Sequence, residues 1–268
     1  MDEKLMNLSL EEKIQKSKEV IEEALTKYKN TAIAFTGGKD STLLLWLVRE
    51  VCREKNLAMP MAMFINEGDV FEEVWEFVQK IAKEWNLDLR VAQNEDVLKQ
   101  VNKIGDIVKV SKLNEINRAE LKKIGFDKEE FPFEPESFVG NHLMKTVALK
   151  MFLRENKIEA LFTGIRWDEQ EARRDEIYFS PRDDPEHVRI HPLLHFTEKE
   201  VWQVIKKYNI PINKLYEKGY RSLGAKSSTT KLADKPAWEQ DLEKIPERAG
   251  RRQDKEGIMR RLRELGYM

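Results

Sequence analysis

Residues 32–47 read AIAFTGGKDSTLLLWL: an apolar run leads into two glycines, a Lys-Asp-Ser step and a second apolar run with helical spacing. This order predicts a buried strand, a tight turn and the start of a helix. Backbone N–H groups at a helix N-terminus attract anions, and glycine lets a phosphate approach them closely. Lys39 adds a positive charge, and the hydroxyls of Ser41 and Thr42 can donate further hydrogen bonds. We interpret the stretch as a pyrophosphate-binding loop, with a purely structural glycine turn as the alternative.

The spacing of the glycines excludes one common phosphate-binding loop. A Walker A loop needs a glycine five residues before its Gly-Lys pair. Here that position is Ile33. Residues Thr36–Ser41 resemble instead the Ser-Gly-Gly-Lys-Asp-Ser signature of the PP-loop ATP pyrophosphatases, with Thr36 where the first serine usually stands. The resemblance implies cleavage of ATP between its α and β phosphates, with Gly37 and Gly38 in the phosphate-binding loop.

Composition limits the class of protein. The chain has 268 residues, enough for one large domain with or without a smaller appendage, and 41% of them are hydrophobic, enough for a sizeable core. The net charge is −1, so no global field favours nucleic acid or a membrane surface. Cys52 is the only cysteine, which excludes a disulfide framework and a multi-cysteine metal site within one chain. Because no apolar run approaches a bilayer-spanning length and no signal-peptide core is present, we expect a cytoplasmic protein.

Strands alternate with helices along much of the chain, which predicts an α/β fold with a three-layer parallel sheet and right-handed crossovers. In such sheets ligands bind beyond the carboxyl ends of the strands. The Gly37–Ser41 loop and the Asn66–Gly68 turn both fall at such ends, so we expect them to share one site. The predicted strands are Thr31–Thr36, Met61–Asn66, Leu87–Ala92, Ala160–Thr163 and Val188–Pro192, and the predicted helices include Ser41–Glu54, Asp69–Trp85, Asn114–Ile124, His142–Glu155 and Thr197–Lys207.

The domain organisation is expected to be simple. Residues 1–207 form the nucleotide-binding α/β domain, and residues 208–268 form a C-terminal extension. The periodicity loosens between residues 93 and 141, which we interpret as an insertion over the site rather than a separate domain. Within the extension, Lys226–Gln240 is expected to be extended and partly mobile, and Asp254–Leu265 a short basic helix.

A second charged segment, Gly164–Arg174, follows the predicted fourth strand. Its position beyond the sheet edge suits a polyanion, which Arg166 and Arg173 could hold by bidentate hydrogen bonds. Asp168 and Glu169 could orient these arginines or bind magnesium. A solvated charged helix is an equally weighted alternative.

Other polar residues favour structural interpretations. His191 and His195 are expected to be structural rather than metal ligands, and no metal site is predicted. Residues Gly219–Gly224 are interpreted as a turn with an exposed tyrosine and arginine, and Glu247–Arg252 as a basic turn. Solvated turns are the plain explanation for both, and an RNA-binding tail is a minor third one because the net charge is near neutral.

These segments, in this order, resemble the 3′-phosphoadenylyl-sulfate (PAPS) reductase and ATP sulfurylase small-subunit family. The resemblance covers nearly the whole chain from about residue 15 and is weakest between residues 93 and 141. It implies a Rossmann-like adenine nucleotide alpha-hydrolase (HUP-type) fold, ATP and Mg²⁺ as cofactors, and a GTPase subunit as one conceivable partner. The matching segments are Thr36–Ser41, Phe64–Gly68, His142–Thr146, Gly164–Arg173, Arg189–Leu193, Thr197–Trp202 and Glu247–Arg251.

Cysteine usage and one C-terminal motif separate the branches of this family. PAPS reductases need a C-terminal catalytic cysteine, whereas Cys52 is far from the tail. Some adenylyl-sulfate reductases carry Gly-Cys-x-Pro-Cys-Thr where Ala225 and Ser228 stand here, and neither residue supplies a thiolate. Reductase chemistry is therefore disfavoured. Eukaryotic-type FAD synthetases show a Leu-Tyr-x-x-Gly-Tyr-x-Ser-Leu-Gly pattern that Leu215–Gly224 matches, so transfer of AMP to FMN stays open.

The resemblance implies an ATP-dependent adenylyltransferase, most like the sulfate adenylyltransferase small subunit. The adenine is expected near Phe64 and Asn66, with the outer phosphates in the loop at Thr36, Gly37, Gly38, Ser41 and Thr42 and with Gly164 at the neighbouring strand end. The expected catalytic residues are Lys39, Arg166 and Arg173 as charge stabilisers and Asp40 as a magnesium ligand.

Three hypotheses for the activity remain: transfer of AMP to sulfate, transfer of AMP to FMN, and a nucleotide-binding subunit without turnover. The acceptor and the oligomeric state are left open, with a homo-oligomer allowed. Neither nucleic acid nor membrane is an expected partner.

Overall fold

The structure is a computed structural model that describes residues 1–251. Its strands are β1 (Thr31–Ala34), β2 (Met61–Asn66), β3 (Leu89–Gln93), β4 (Ile107–Lys109), β5 (Glu130–Pro132), β6 (Ala160–Phe162), β7 (Phe179–Asp183) and β8 (Glu186–Ile190). Six of them form one sheet in the order β3-β2-β1-β6-β8-β7, and β4 pairs with β5. All neighbours in the large sheet are parallel except β7 and β8. The expected α/β fold with a mostly parallel sheet is confirmed.

Helices cover both faces of this sheet. On one face the core includes Leu44, Val78 and Val201, and on the other Phe152 packs with Leu161, which gives the expected three layers. No helix within residues 1–251 is both long and apolar enough to cross a bilayer. The helices are α1 (Glu3–Met6), α2 (Leu10–Lys27), α3 (Lys39–Lys55), α4 (Glu72–Glu84), α5 (Glu95–Leu98), α6 (Glu115–Lys123), α7 (Phe138–Asn141), α8 (Ala148–Glu155) and α9 (Glu198–Lys207).

Helix α9 begins at a capping box that brings an acidic residue to the sheet edge. The hydroxyl of Thr197 accepts the amide of Glu200 at 3.3 Å, and the Glu200 carboxylate accepts the amide of Thr197 at 2.8 Å. This reciprocal pair satisfies two backbone donors that the first turn leaves free. It also sets Glu198 in the first turn, buried beside the β1–α3 loop.

Three strands were not predicted: β4 and β5, which lie in the segment 93–141, and β7. β7 lies antiparallel at the edge of the sheet, and its sequence, which contains Pro181, lacks an apolar alternation. Proline is tolerated there because an edge strand leaves one row of N–H groups unpaired within the sheet. The helix predicted at His142–Glu155 also differs from the structure. Helical structure already begins at Phe138–Asn141, and residues His142–Val147 form a wider helical turn before α8.

The segment 93–141 contains α5, β4, β5, α6 and α7 and has a small apolar core of its own, with Val108 and Phe131 among its buried residues. It packs against the turn after β2: a Cβ at Gly68 would lie 2.7 Å from Phe133 Cζ and 2.8 Å from Leu98 Cδ2. The boundaries of this insertion and of the C-terminal extension remain predictions.

The described part of the C-terminal extension packs against the main domain. The expectation of an extended segment over Lys226–Gln240 is wrong, because short helical turns form at Lys226–Ser228 and Ala237–Glu239. Ala237 is fully buried, and the amide of Lys226 donates to the carbonyl of Asp69 at 2.9 Å. The helix predicted at residues 254–265 lies outside the described residues.

Candidate active site

The loop between β1 and α3 is held by its own side chains. Gly37 has a φ of +74°, which favours glycine, and a Cβ there would lie 3.0 Å from Val78 Cγ2. The Ser41 hydroxyl donates to the carbonyl of Gly38 at 2.9 Å and accepts the amide of Thr36 at 3.2 Å. The loop therefore has a defined shape, and Gly38 is the N-cap of α3.

Lys39 and Arg166 are buried at the end of this loop and share two carboxylate partners. The Lys39 ammonium pairs with Asp40 at 3.1 Å and with Glu247. The Arg166 guanidinium also pairs with Asp40 and Glu247. A third carboxylate, Asp168, accepts from Arg166 Nε at 2.8 Å. Glu247 thus places one carboxylate oxygen on each of the two cations.

These neighbours keep the groups charged. Burial alone would lower the pKa of Lys39, but the negative charges of Asp40 and Glu247 outweigh it and hold that pKa above its usual value. The pKa of Arg166 is raised in the same way, against the effect of burial. For Glu247, burial raises the pKa, and the stronger effect of Arg166 and Lys39 brings it below its usual range. At neutral pH the site therefore holds two full positive charges with a full negative charge between them.

The C-terminal extension contributes directly to the loop. Tyr216 is 1% exposed, and its hydroxyl oxygen accepts the amide of Lys39 at 2.8 Å. Burial raises the pKa of Tyr216, so its hydroxyl stays protonated at neutral pH. Together with Glu247, this residue brings the extension into contact with a loop far away in the sequence.

The expectation that Gly219–Gly224 is a turn with an exposed tyrosine and arginine is wrong. Arg221 is buried and pairs with Glu198 at 2.7 Å, and it donates to two backbone carbonyls as well. Tyr220 is half-buried and packs edge-on against Phe71, with the ring centroids 5.4 Å apart. The guanidinium of Arg221 can be buried because its charge is paired with a carboxylate and most of its N–H donors have acceptors.

The charged segment after β6 forms ion pairs rather than a solvated helix. The Arg173 guanidinium pairs with Glu169, which also accepts from Arg248 at 3.0 Å. Arg166 and the neighbouring Trp167 are buried. Asp168 and Glu169 do contact the arginines they were expected to orient. The contact between Arg248 and Glu169 therefore ties the basic turn near the end of the described chain to this segment.

A cavity of about 230 Å³ opens where β1, β2 and β6 end. Further lining comes from Glu67, Lys145, Tyr216, Glu247 and Arg248, which the site prediction did not include. The predicted site residues that line it are Thr36, Gly38, Lys39, Asp40, Ser41, Phe64, Gly164 and Arg173. The structure therefore brings the loop, the ends of three strands and the C-terminal extension around one space.

Four predicted site residues lie behind this lining rather than in it, as far as residues 1–251 show. Gly37 packs against α4, and the Thr42 hydroxyl donates to a carbonyl of its own loop at 2.9 Å. The Asn66 side chain donates to Gln93 at 2.8 Å. Arg166 has no exposed surface and reaches the site through its carboxylate partners.

Gly164 lines the cavity, yet its lack of a side chain serves packing as well. A Cβ at this position would lie 3.0 Å from the carbonyl carbon and oxygen of Asp40 and 3.1 Å from the amide nitrogen of Ser41. Such distances are shorter than ordinary contacts. The glycine therefore lets the end of β6 approach the first turn of α3.

The residues that sequence reasoning missed had only weak signals. Lys145 pairs with Glu67 at 2.6 Å and with Glu136 at 2.7 Å, which joins the end of β2 to the turn before α8. Glu67 belongs to the Asn66–Gly68 turn that was expected at the site, although it was not itself named as a site residue. Glu247 belonged to a matched motif, but local composition indicated only a basic turn.

His191 and His195 make hydrogen bonds to neighbouring groups of the protein. His191 Nδ1 lies 2.6 Å from the Thr163 hydroxyl, and His195 lies 2.8 Å from the Tyr178 hydroxyl and 2.9 Å from the carbonyl of Lys13. Burial lowers the pKa of each histidine to about 4. Within the described residues, no group of three or more His, Cys, Asp and Glu side chains is arranged to hold a metal ion.

Two kinds of known protein share the fold of this chain. The FMN adenylyltransferase of Candida glabrata, in complex with FMN and the ATP analogue AMPCPP, matches with a TM-score of 0.60 at 18% identity over 98% of this chain and 87% of that one. The phosphoadenylyl-sulfate (PAPS) reductase of Candida auris matches with a TM-score of 0.58 at 19% identity over 80% of this chain and 90% of that one.

Sequence comparison points the same way. The chain is 28% identical over 238 residues to the sulfate adenylyltransferase subunit 2 of Proteus mirabilis (strain HI4320), a match that spans 80% of this chain and 69% of that protein. The model of the phosphoadenosine phosphosulfate reductase domain family matches residues 30–231. The resemblance inferred from the motifs is thereby confirmed. Because the family match includes most of the chain, from the strand before the phosphate loop to the C-terminal extension, this chain belongs to the phosphoadenosine phosphosulfate reductase domain family.

Proposed function

We propose that the chain is an ATP-dependent adenylyltransferase that transfers AMP to sulfate and releases pyrophosphate. The observation that carries the proposal is the shared cavity: Lys39 and Ser41 of the β1–α3 loop face the same space as Arg173 and Arg248. One group of residues suits the outer phosphates of ATP, and the other suits a small anionic acceptor. The curated relatives named sulfate adenylyltransferase subunit 2 support the same activity.

The nucleotide is proposed to lie across the ends of β1 and β2. Phe64 and Ile65 supply an apolar wall for the adenine, and Thr36–Ser41 receives the β and γ phosphates. This places the α phosphate near Gly164, at the junction between β1 and β6 where ligands bind in sheets of this type. Glu67 and Lys145 would then lie on the nucleoside side of the cavity.

The reaction is an in-line displacement at the α phosphorus. A sulfate oxygen forms the new bond to that phosphorus, and the bond between the α phosphorus and the bridging oxygen to the β phosphate breaks, so that pyrophosphate leaves with both bonding electrons. The protein supplies positioning and charge, as in phosphoryl transfer generally. Lys39 stabilises the leaving group, Arg173 holds the acceptor, and Arg166 acts on the site through Asp40 and Glu247.

Mg²⁺ is proposed to enter as the MgATP complex rather than to occupy a protein cage. Asp40, Asp168, Glu169, Glu198 and Glu247 all pair with arginine or lysine. A site with so few uncommitted carboxylates fits a cation that keeps most of its ligands from phosphate and water. Asp40 is the best-placed protein ligand, because its side chain is 18% exposed and lines the cavity.

The charge of the cavity lining favours sulfate over FMN. A sulfate ion needs positive charge to hold it, whereas a flavin ring needs an additional apolar slot. Arg173 and Arg248, which converge on Glu169, supply the positive charge that a sulfate requires.

Transfer of AMP to FMN is the second candidate. The residues Leu215–Gly224 match the pattern expected for FAD synthetases, and they supply Tyr216 to the phosphate loop. Reductase chemistry is disfavoured, because the one cysteine, Cys52, is buried in α3 and burial raises the pKa of its thiol to about 11. A third possibility, a nucleotide-binding subunit without turnover, differs from both in predicting no exchange reaction.

The decisive experiment is ATP–pyrophosphate exchange, run separately with sulfate, with FMN and without an acceptor. Exchange that depends on sulfate supports the proposal, and exchange that depends on FMN replaces sulfate by FMN. Tight ATP binding without exchange in any of the three reactions, and also none when a GTPase subunit is added, would identify a non-catalytic subunit. The reaction should also be run after the addition of a GTPase subunit of a sulfate adenylyltransferase, because we propose that the chain acts with such a partner in the cytoplasm.

A further inference from the structure

The carboxylate of Glu247 bridges the two buried cations of the candidate site. One of its oxygens accepts from the Lys39 ammonium and the other from the Arg166 guanidinium. The side chain of Glu247 is 8% exposed, and it lines the cavity beside Ser41. A carboxylate that bridges an ammonium and a guanidinium presents two anionic acceptor oxygens to them, as a phosphate also can.

The local charge balance makes simple addition of a phosphate unfavourable. Lys39 and Arg166 share Asp40 and Glu247, and Arg166 also pairs with Asp168, so three carboxyl groups surround the two cations. Like charges in a buried site repel each other strongly because the effective dielectric constant is low. A phosphate that approached Lys39 would therefore meet an anion already in contact with the same donor.

Among the carboxylates around Lys39, Glu247 is the one placed to leave. Asp40 is in the first turn of α3, and Glu198 is in the first turn of α9 and holds Arg221. Glu247 instead belongs to a single turn, Glu247–Gly250, outside the main helices.

The backbone of this turn can stay in place while the carboxylate moves. The carbonyl of Gly250 accepts the amide and the hydroxyl of Thr230 at 2.9 and 3.0 Å, and Arg248 is tied to Glu169. Rotation about the side-chain bonds of Glu247 is therefore sufficient to free Lys39. Tyr216, the other extension residue on the loop, is fixed by packing against Trp202 and keeps its bond to the Lys39 amide.

We propose that Glu247 is an internal competitor for the phosphate site: its carboxylate leaves Lys39 and Arg166 when the outer phosphates of the nucleotide bind, and its return promotes the release of pyrophosphate. The inference rests on the proposed function, because it takes the competing anion to be a phosphate group of ATP. The site would then contain a carboxylate that opposes anion binding as well as the donors that favour it.

The test is calorimetric binding of inorganic pyrophosphate to the wild-type chain and to Glu247→Gln. The variant keeps the shape of the side chain and removes its charge. Its affinity for pyrophosphate should rise about tenfold or more, since binding no longer has to break hydrogen bonds between charged groups. The control is Glu243→Gln, an exposed carboxylate that pairs only with Lys199 among the described residues, and its affinity should stay within about twofold of the wild type.

A thermal measurement separates competition from a purely structural role. Without ligand, Glu247→Gln should melt at a lower temperature than the wild type because two buried cations lose a partner, and saturating pyrophosphate should abolish this difference. Equal or weaker pyrophosphate binding by Glu247→Gln would overturn the inference and leave the proposed function standing. Failure of every variant and of the wild type to bind pyrophosphate would instead overturn the proposed function and this inference with it.

A crystal structure of the wild-type chain with pyrophosphate answers the same question without a variant. The expected result is a pyrophosphate oxygen on Lys39 Nζ and the Glu247 carboxylate withdrawn from it. Pyrophosphate bound in the loop with Glu247 still on Lys39 would contradict the competition.

Discussion

Lys39 is the residue on which several contacts of the candidate site converge. It is 1% exposed, its ammonium faces Asp40 and Glu247, and its amide is held by Tyr216. Its charge is kept at all physiological pH values, because its carboxylate neighbours hold its pKa above the usual value despite burial. A lysine in this state acts as a fixed positive charge and not as a proton donor or acceptor.

Replacement of this residue, Lys39→Ala, should lower the rate of ATP–pyrophosphate exchange by about 10²-fold or more, the usual effect of losing one electrostatic contact to a transition state. Lys55→Ala is a suitable control, since Lys55 ends the same helix with its side chain 48% exposed. Exchange in Lys39→Ala at a near-normal rate would remove Lys39 from the reaction.

At the scale of elements, the junction between α9 and the C-terminal extension holds the site together. The capping box at Thr197 starts α9, and the next residue, Glu198, binds Arg221 of the extension at 2.7 Å. Glu198 is also 4.0 Å from Lys39. This ion pair therefore positions the extension that delivers Tyr216 and Glu247 to the phosphate loop.

Breaking this pair should be costly. Arg221→Ala leaves Glu198 buried without its partner, and we expect a loss of about 3–5 kcal/mol in the free energy of unfolding, measured by urea denaturation. Arg53→Ala, at a side chain that is 72% exposed, should change it by less than about 1 kcal/mol. The double variant Arg221→Met with Glu198→Gln should cost less than the sum of its single changes, and strict additivity would show that the two residues do not depend on each other.

At the scale of the whole molecule, three buried histidines couple folding to pH. Burial lowers the pKa of His187, His191 and His195 from 6.5 to about 4. Between these two values the unfolded chain binds more protons than the folded chain, so stability is full above about pH 6.5 and declines as the pH falls towards 4. Glu198 and Asp168, whose pKa values are raised mainly by burial, act in the opposite direction because the folded state favours their protonated forms.

The free energy of unfolding should therefore decrease from pH 7 to pH 5, with each histidine contributing on the order of 2 kcal/mol. Urea denaturation at the two pH values measures the change. In the variant His191→Phe, the decrease in the free energy of unfolding between pH 7 and pH 5 should be smaller by the contribution of one histidine. An unchanged decrease would show that His191 already has an ordinary pKa in the folded protein.

The glycine loop between β1 and α3 and most of the sheet could be predicted from the sequence because their signals are local. The apolar run before Gly37 and Gly38, the helical pattern after Lys39 and the strand Met61–Asn66 each depend on a few consecutive residues, and the structure has the strand with those bounds. Strand β7 escaped prediction, since an edge strand with Pro181 has no apolar alternation.

Tertiary structure alone decided which residues complete the site. Lys39 and Glu247 are separated by 208 positions, and Arg166 and Asp40 by 126, so no local pattern links them. Composition made Arg221 and Glu247 look like surface residues, because isolated charges avoid the interior. Only the fold brings opposite charges close enough to offset the desolvation of each. That compensation is why the sequence by itself determined the glycine loop between β1 and α3, while the tertiary structure determined the residues that contact it.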